Sequence, residues 1–289
     1  MLCTPQCGWW AEPTLRVKIL STKLEILNNI EIRKSKVENR NDKRLDSRFR
    51  GNDNGKGYVM VRRRLCLLIL LCCVVVSNGQ GKAKTEDPAA KWGKTIEQFE
   101  DWDRKNSFAA DAVLFVGSSS IKLWPTAEDF GEFPVINRGF GGSQISEVNF
   151  FADRIVLPYR PKVIAFYAGD NDVAKGKSAE RVFEDYQKFV KIVHKELPKT
   201  QIIFVAIKPS GSRWSLWPVM ARANKMIEDF CGRDGRLYYF DSAGPLLGRD
   251  GKPDMKFFLK DKLHLNAEGY RVWTKALKPI IRQAMANHP

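Results

Sequence analysis

The residues with the clearest chemical potential are three consecutive serines, Ser118–Ser120, and an Asp-x-x-His pair, Asp261 and His264. A serine hydroxyl attacks a carbonyl carbon when an imidazole takes its proton and a carboxylate orients that imidazole. The spacing of the pair lets Asp261 hold Nδ1 of His264 while Nε2 faces a nucleophile. Taken singly, a structural Asp–His contact explains the pair about as well as catalysis does. A helix-capping role explains an isolated serine at this turn better than a nucleophilic one.

Donors for a developing oxyanion are also present. A serine that opens a helix points its own N–H toward such an oxygen. Gly142 offers a backbone N–H where glycine permits close approach, and Asn171 offers a side-chain amide. Turn geometry for Gly142 and loop capping for Asn171 are the simpler interpretations.

The elements that must position these residues follow an alternating pattern. Short apolar runs, typical of buried strands, occur at Ala112–Val116, Pro134–Ile136, Val163–Tyr167, Gln201–Ile207 and Leu237–Phe240. Segments with helical spacing occur at 95–106, 144–156, 178–195, 217–230 and 266–286, the last opened by Asn266 as N-cap. This alternation predicts an α/β fold, a three-layer α/β/α sandwich with a mainly parallel five-stranded sheet. Ligand sites in such sheets form beyond the carboxyl ends of the strands, where the candidate residues lie.

In order and spacing, these residues resemble the four sequence blocks of the SGNH hydrolases, also called the GDSL lipase/esterase family. The matching segments are Gly117-Ser118-Ser119, Gly142, Gly169-Asp170-Asn171-Asp172 and Asp261–His264. The resemblance implies a flavodoxin-like fold and a serine esterase acting on short-chain or acetyl esters. It implies that Ser119 is the nucleophile, His264 the base and Asp261 its orienter, with Ser119, Gly142 and Asn171 as oxyanion hole. Ser118 stands where the family usually has Asp, so the choice among Ser118, Ser119 and Ser120 stays open at this point.

Other functions fit the sequence less well. A nucleotide-binding domain would need a third glycine at position 144, where Gln144 stands. A lysophospholipase or thioesterase of the same family, or a non-catalytic carbohydrate-binding module on the same fold, remains open. Substrate-binding candidates after the predicted strands are Arg138, Trp214 and Trp217, with Arg213 and Trp124 as further possibilities; packing and plain surface charge are the alternatives.

The first 80 residues differ in character from the rest. Residues 60–80 follow the pattern of a secretory signal peptide: Arg62–Arg64, an apolar run Leu65–Val76, and small residues before Gln80. Residues 1–59 are then a non-native or disordered extension, 81–108 a linker and first helix, and 109–289 the esterase domain. We therefore expect an exported protein, periplasmic or extracellular, with an N-terminal anchor if the signal is not cleaved. Only Cys231 of the six cysteines lies beyond the signal, so the mature domain contains no disulfide.

The net charge of +15 does not indicate a nucleic-acid partner. Two thirds of that excess lies in residues 1–84, and the remaining chain carries interspersed charges of both signs. No apolar run reaches the ~20 residues of a stable membrane span. No histidine or cysteine pair has metal-ligand spacing, so we expect no metal or cofactor. The expected partner is a small-molecule, lipid or carbohydrate ester; the sequence leaves the oligomeric state undetermined.

Overall fold

The computed structural model describes residues 87–288, which fall within one compact unit of the chain, 84–289. Its strands are β1 (Val113–Gly117), β2 (Val135–Gly139), β3 (Val163–Tyr167), β4 (Gln201–Val205) and β5 (Leu237–Phe240). Its α-helices are α1 (Pro88–Asp103), α2 (Ser119–Lys122), α3 (Thr126–Asp129), α4 (Ile145–Phe150), α5 (Ala152–Ile155), α6 (Asp170–Ala174), α7 (Ala179–Glu196), α8 (Trp217–Cys231) and α9 (Ala267–Ala286). Short 3-10 segments occur at Leu157–Tyr159, Gly211–Leu216, Gly244–Leu246 and Met255–Phe257.

The five strands form one parallel sheet in the order β2-β1-β3-β4-β5. This is the flavodoxin-like order, so the predicted sandwich is confirmed. Strand β2 continues past its apolar residues through Asn137 and Arg138. The Asn137 side chain donates to the carbonyl oxygen of Ile121 at 2.9 Å, so this polar residue is satisfied within the edge strand.

The sheet separates two hydrophobic cores because successive strand residues point to opposite faces. On one face, Leu114, Ile164 and Phe204 pack beneath α1, α4, α5, α7 and α8. On the other, Phe115, Ala165 and Val205 pack beneath α2, α3 and α9. Because both faces of the sheet are buried, the strands are almost continuously apolar in sequence.

Helices α7, α8 and α9 lie where the sequence predicts them, and the predicted helix at 144–156 is divided into α4 and α5. At the start of α9, the side chain of Asn266 accepts from the N–H groups of Glu268 and Gly269 at 2.9 and 3.0 Å. The predicted N-cap is therefore confirmed.

Helix α1 belongs to the folded unit. Ile96 is fully buried in the first core, and Lys91 pairs with Glu147 of α4 at 2.8 Å. The helix predicted within 81–108 thus covers the sheet, and the boundary predicted at residue 108 does not separate it from the rest of the unit. The predicted signal peptide and extension, 1–80, lie outside the described residues. Within 87–288, no helix is long and apolar enough to cross a membrane.

Candidate active site

Ser119 stands at a tight turn between β1 and α2. Gly117 has φ +139°, and a Cβ there would lie 1.8 Å from the carbonyl oxygen of Tyr167, so only glycine fits. The N–H of Ser118 donates to that same oxygen at 2.9 Å. The chain thus leaves the sheet at its carboxyl end and places Ser119 as the first residue of a helix.

The loop before α9 holds Asp261 and His264 in a fixed relation. One oxygen of Asp261 accepts from the N–H groups of Leu263 and His264 at 2.9 and 3.0 Å. The other accepts from Nδ1 of His264 at 2.6 Å. These hydrogen bonds, that of the imidazole foremost, lower the pKa of the Asp261 carboxyl to about 2. The carboxylate is therefore ionised at every pH at which the folded protein is normally handled.

His264 meets Ser119 and neither of its neighbours. Nε2 of the imidazole lies 3.0 Å from Oγ of Ser119, across 145 residues of sequence. Ser118 and Ser120 are buried, and their hydroxyls have no hydrogen-bond partner among the described residues. The tertiary structure thus distinguishes three serines that the local sequence does not.

The three predicted oxyanion donors lie on neighbouring turns. Ser119 is the first residue of α2, so its N–H has no carbonyl acceptor within the helix. Gly142 occupies a turn with φ +83°. Asn171 is 9% exposed in α6, and its Nδ2 donates to the carbonyl oxygen of Ser143 at 3.0 Å. The side-chain amide of Asn171 therefore lies next to the turn that contains Gly142.

A buried carboxylate ties these two turns together. Both oxygens of Asp172 accept from the N–H of Ile145 at 3.2 Å, which joins α6 to the start of α4. Lys177 pairs with Asp172 at 2.7 Å and with Asp185 at 2.8 Å. Burial raises the pKa of Asp172 to about 6.

The expectation that Arg138 binds substrate is wrong, and so is its alternative of a surface charge. Arg138 is 5% exposed on the face of β2 that meets the first core. Its guanidinium pairs with Asp103, donates to Tyr159 Oη at 2.6 Å and to the Asn137 carbonyl at 2.8 Å. It also lies over the aromatic rings of Phe99, Trp102, Phe108 and Tyr159. Its hydrogen-bonding capacity serves packing of α1 on the sheet.

Of the three tryptophans considered for substrate binding, one is buried in the core and two are partly exposed. Trp124 is 2% exposed in the second core, and its indole N–H donates to Asp129 and Thr274, so it serves packing. Trp217 begins α8 and is partly buried against the first core. Trp214 stacks on it with ring centroids 6.1 Å apart and an interplanar angle of 12°. Substrate binding by Trp214 and Trp217 stays a prediction.

Two contacts near the site were not anticipated from the sequence. Arg213 donates through Nη2 to Oδ1 of Asn171 at 3.0 Å, whereas the sequence offers it as a substrate-binding residue or a plain surface charge. Trp92 of α1 places a ring carbon 3.7 Å from where a Cβ on Gly142 would stand. The sequence carries no signal for the Trp92 contact, because the residue reads as one more apolar position of a helix.

Hydroxyl, imidazole and carboxylate in this geometry, on the carboxyl edge of a parallel sheet, define a serine-hydrolase type of site. Among residues 87–288, no three His, Cys, Asp or Glu side chains are grouped so that they could hold a metal ion.

Comparison with known proteins gives the family. The profile of the GDSL-like lipase/acylhydrolase family matches residues 125–272, which include Gly142, Asn171, Asp261 and His264 and begin after Ser119. The chain belongs to this family and is an ester-hydrolysing enzyme. Platelet-activating factor acetylhydrolase IB subunit alpha2 of Homo sapiens is 26% identical over 183 residues, 61% of this chain and 79% of that protein. The Gallus gallus protein of the same name is 24% identical over 196 residues, 64% and 84% of the two chains.

Solved structures share the fold. A GDSL-like lipase from Bacteroides thetaiotaomicron superposes with a TM-score of 0.57 at 16% identity, covering 65% of this chain and 98% of its own. A lipolytic G-D-S-L protein from Veillonella parvula gives 0.51 at 14% identity, covering 59% and 98%. At these identities the likeness concerns the fold.

Proposed function

We propose that this enzyme hydrolyses short acyl esters, acetyl esters foremost, with Ser119 as nucleophile, His264 as general base and Asp261 as its orienter. The observation that carries the proposal is the continuous contact from Ser119 Oγ to His264 Nε2, 3.0 Å, and from His264 Nδ1 to Asp261 Oδ2, 2.6 Å. A purely structural Asp–His contact would not require Nε2 of the imidazole to contact a partly exposed serine hydroxyl. Here that serine lies just after the carboxyl end of β1.

The reaction follows from these positions. As Ser119 Oγ bonds to the carbonyl carbon, its proton passes to Nε2 of His264, and the Asp261 carboxylate stabilises the imidazolium. The N–H groups of Ser119 and Gly142 and the amide of Asn171 donate to the tetrahedral oxyanion. The oxyanion collapses, the ester C–O bond breaks, and the leaving alcohol takes the proton from His264. Water, deprotonated by His264, then attacks the acyl-serine and releases the carboxylic acid and free Ser119.

Two observations support a short acyl group. The indole of Trp92 stands beside Gly142, and so limits the space next to a proposed oxyanion donor. The mammalian and avian relatives are named as acetylhydrolases. A bulky acyl chain directed past Gly142 would meet this ring.

The test compares the purified protein with its Ser119→Ala variant on p-nitrophenyl acetate, butyrate and octanoate. We expect the substitution to lower kcat by about 10⁴-fold or more, since triad residues act as a unit. We expect kcat/KM to fall from acetate to octanoate. An octanoate preference would contradict the short-acyl proposal and leave the serine mechanism intact.

Ser120→Ala is the matched control, because it makes the same change one residue away, at a buried hydroxyl that has no hydrogen-bond partner within residues 87–288. We expect its activity to stay within about 3-fold of wild type. Activity that survives Ser119→Ala and is lost in Ser120→Ala would contradict the assignment of the nucleophile.

We further propose that the enzyme acts outside the cytoplasm after cleavage of a signal peptide near Gly79 and Gln80. The support is the order of charged, apolar and small residues in that segment. N-terminal sequencing of the protein recovered from the periplasm or medium should begin near Gln80. A peptide from before Met60 would contradict the proposed leader.

A further inference from the structure

Arg213 lies between two residues of the Gly-x-Asn-Asp segment. Its Nη2 donates to Oδ1 of Asn171 at 3.0 Å, and its Nη1 lies 3.2 Å from Oδ2 of Asp170. The planar guanidinium thus donates a hydrogen bond to Asn171 and forms an ion pair with Asp170, which are adjacent residues of α6. A lysine, with one compact charge, has no such fork.

This contact fixes which way the amide of Asn171 points. A guanidinium only donates, so it holds the amide oxygen on its own side. The carbonyl of Ser143 only accepts, and it takes one hydrogen of Nδ2 at 3.0 Å on the other side. A flipped amide would set donor against donor at Arg213 and acceptor against acceptor at Ser143. The second hydrogen of Nδ2 is then left for a substrate oxygen.

The surroundings of Arg213 add positive charge behind the amide. Asp170 is shared between Arg213 and Lys208, whose Nζ lies 3.5 Å from the same oxygen and donates to Tyr167 Oη at 3.2 Å. Lys208 and Asp170 are 1% and 3% exposed. Two cationic side chains on one carboxylate favour negative charge nearby, such as an oxyanion in front of Asn171.

Arg213 is itself held by the loop of the base. It lies in the 3-10 segment Gly211–Leu216 after β4. The N–H of Ser212 donates to the carbonyl oxygen of Lys262, within the Asp261–His264 turn, at 3.1 Å. One segment therefore contacts both the amide of Asn171 and the turn that carries His264.

We propose that Arg213 is a positioning residue that orients and polarises the Asn171 amide as an oxyanion donor. This inference rests on the proposed function. It also departs from the expectation that Arg213 binds substrate, because the guanidinium contacts Asn171 and Asp170 in the absence of substrate.

The kinetic test uses Arg213→Met and Arg213→Lys with p-nitrophenyl acetate, a substrate without charge. We expect Arg213→Met to lower kcat about 10- to 100-fold with KM within about 3-fold, less than the ~10²–10³ loss of a whole oxyanion donor. Arg213→Lys keeps a positive charge beside Asp170 but lacks the forked guanidinium. Its kcat should therefore lie between those of Arg213→Met and wild type. Adding Arg213→Met to Asn171→Ala should cause less than a 3-fold further loss. Unchanged kcat in both Arg213 variants, or losses that multiply, would overturn the inference.

Arg222→Met is the matched control. Arg222 is 69% exposed on α8, where it pairs with Glu180, and its loss should leave kcat within 2-fold of wild type. Thermal unfolding of each variant shows whether it is folded, and Arg213→Lys preserves the charge if the methionine variant is not.

A readout that needs no catalysis separates this inference from the proposed function. The side-chain ¹⁵N–¹H₂ signals of Asn171, assigned by their absence in Asn171→Ala, should shift or broaden in Arg213→Met and stay in place in Arg222→Met. Unchanged signals in Arg213→Met would overturn the inference even in a fully active enzyme. Shifted signals in a protein without Ser119-dependent hydrolysis would support the contact and contradict the proposed function.

Discussion

At the scale of the residue, the most exposed member of the proposed triad is also the most firmly bonded. The side chain of Asp261 is 47% exposed, yet it accepts three hydrogen bonds from within its own turn. Positioning here comes from a local hydrogen-bonded turn rather than from burial. This arrangement keeps the carboxylate ionised, because each donor stabilises the charged form.

The pH dependence of activity should therefore show a single proton on its acid limb. The base must be neutral to take the serine proton, whereas Asp261, with its pKa lowered to about 2, is already ionised. We expect log(kcat/KM) for p-nitrophenyl acetate, measured from pH 4 upward, to rise with a slope of one. A slope of two would mean that a second group, such as buried Asp172 with its pKa of about 6, must also lose a proton.

Asp261→Asn tests the same carboxylate by activity and stability. We expect kcat to fall by about 10²–10⁴-fold, since the imidazole loses its orienting anion. A carboxyl whose pKa is lowered on folding stabilises the native state above its unfolded pKa of about 4, and this contribution is lost as pH falls toward about 2. The difference in the free energy of unfolding between wild type and variant, measured with urea, should become smaller below pH 4. A constant difference would contradict this.

At the scale of the element, the short helix α2 is positioned by close backbone contact with β2. A Cβ on Gly139 would stand 2.3 Å from the backbone nitrogen of Lys122. Since α2 begins with Ser119, the absence of a side chain at Gly139 sets how near the hydroxyl lies to His264.

Gly139→Ala should therefore displace α2 and weaken the enzyme. We expect kcat/KM to fall at least about 10-fold, because misplacement of about 1 Å costs up to 10²-fold. We expect the free energy of unfolding to fall by about 1–3 kcal/mol from overpacking. Gly93→Ala is the control: beyond the neighbouring backbone of α1, no atom of residues 87–288 lies within 4 Å of the added carbon, and alanine should stabilise α1 by about 0.5–1 kcal/mol. Equal behaviour of the two variants would contradict the role of this contact.

At the scale of the whole molecule, both layers of helices depend on one sheet. Trp273 of α9 is fully buried in the second core, against Trp124, Tyr167 and Tyr270. Its indole N–H donates to the carbonyl oxygen of Ser242 at 2.8 Å. Removing this side chain leaves a cavity and an unpaired buried carbonyl, and the sheet transmits the loss to both faces.

Trp273→Ala should lower the free energy of unfolding by about 3–5 kcal/mol. Unfolding by urea should remain one transition, with far-UV circular dichroism and tryptophan fluorescence coinciding. Trp102→Ala is the control, since Trp102 is 51% exposed, and we expect it to cost about 1 kcal/mol or less. Separate transitions for the two probes would show that the layers unfold independently.

The sequence by itself determined the sheet, the main helices and the edge at which chemistry-bearing residues gather. These depend on patterns that repeat over a few residues: apolar runs such as Val163–Tyr167, and the N-cap Asn266. The sequence does not predict where β2 ends. Asn137 and Arg138 are polar and resemble loop residues, and only their partners from distant parts of the chain explain why they lie in a strand.

Only the tertiary structure decided which serine meets His264, that Arg138 is buried against Asp103, and that Arg213 holds Asn171. Each is a contact between residues far apart in sequence, and polar side chains carry no periodic signal for the partner they will find. Local patterns specify elements, whereas a site exists only once the folded chain has placed a donor opposite its acceptor.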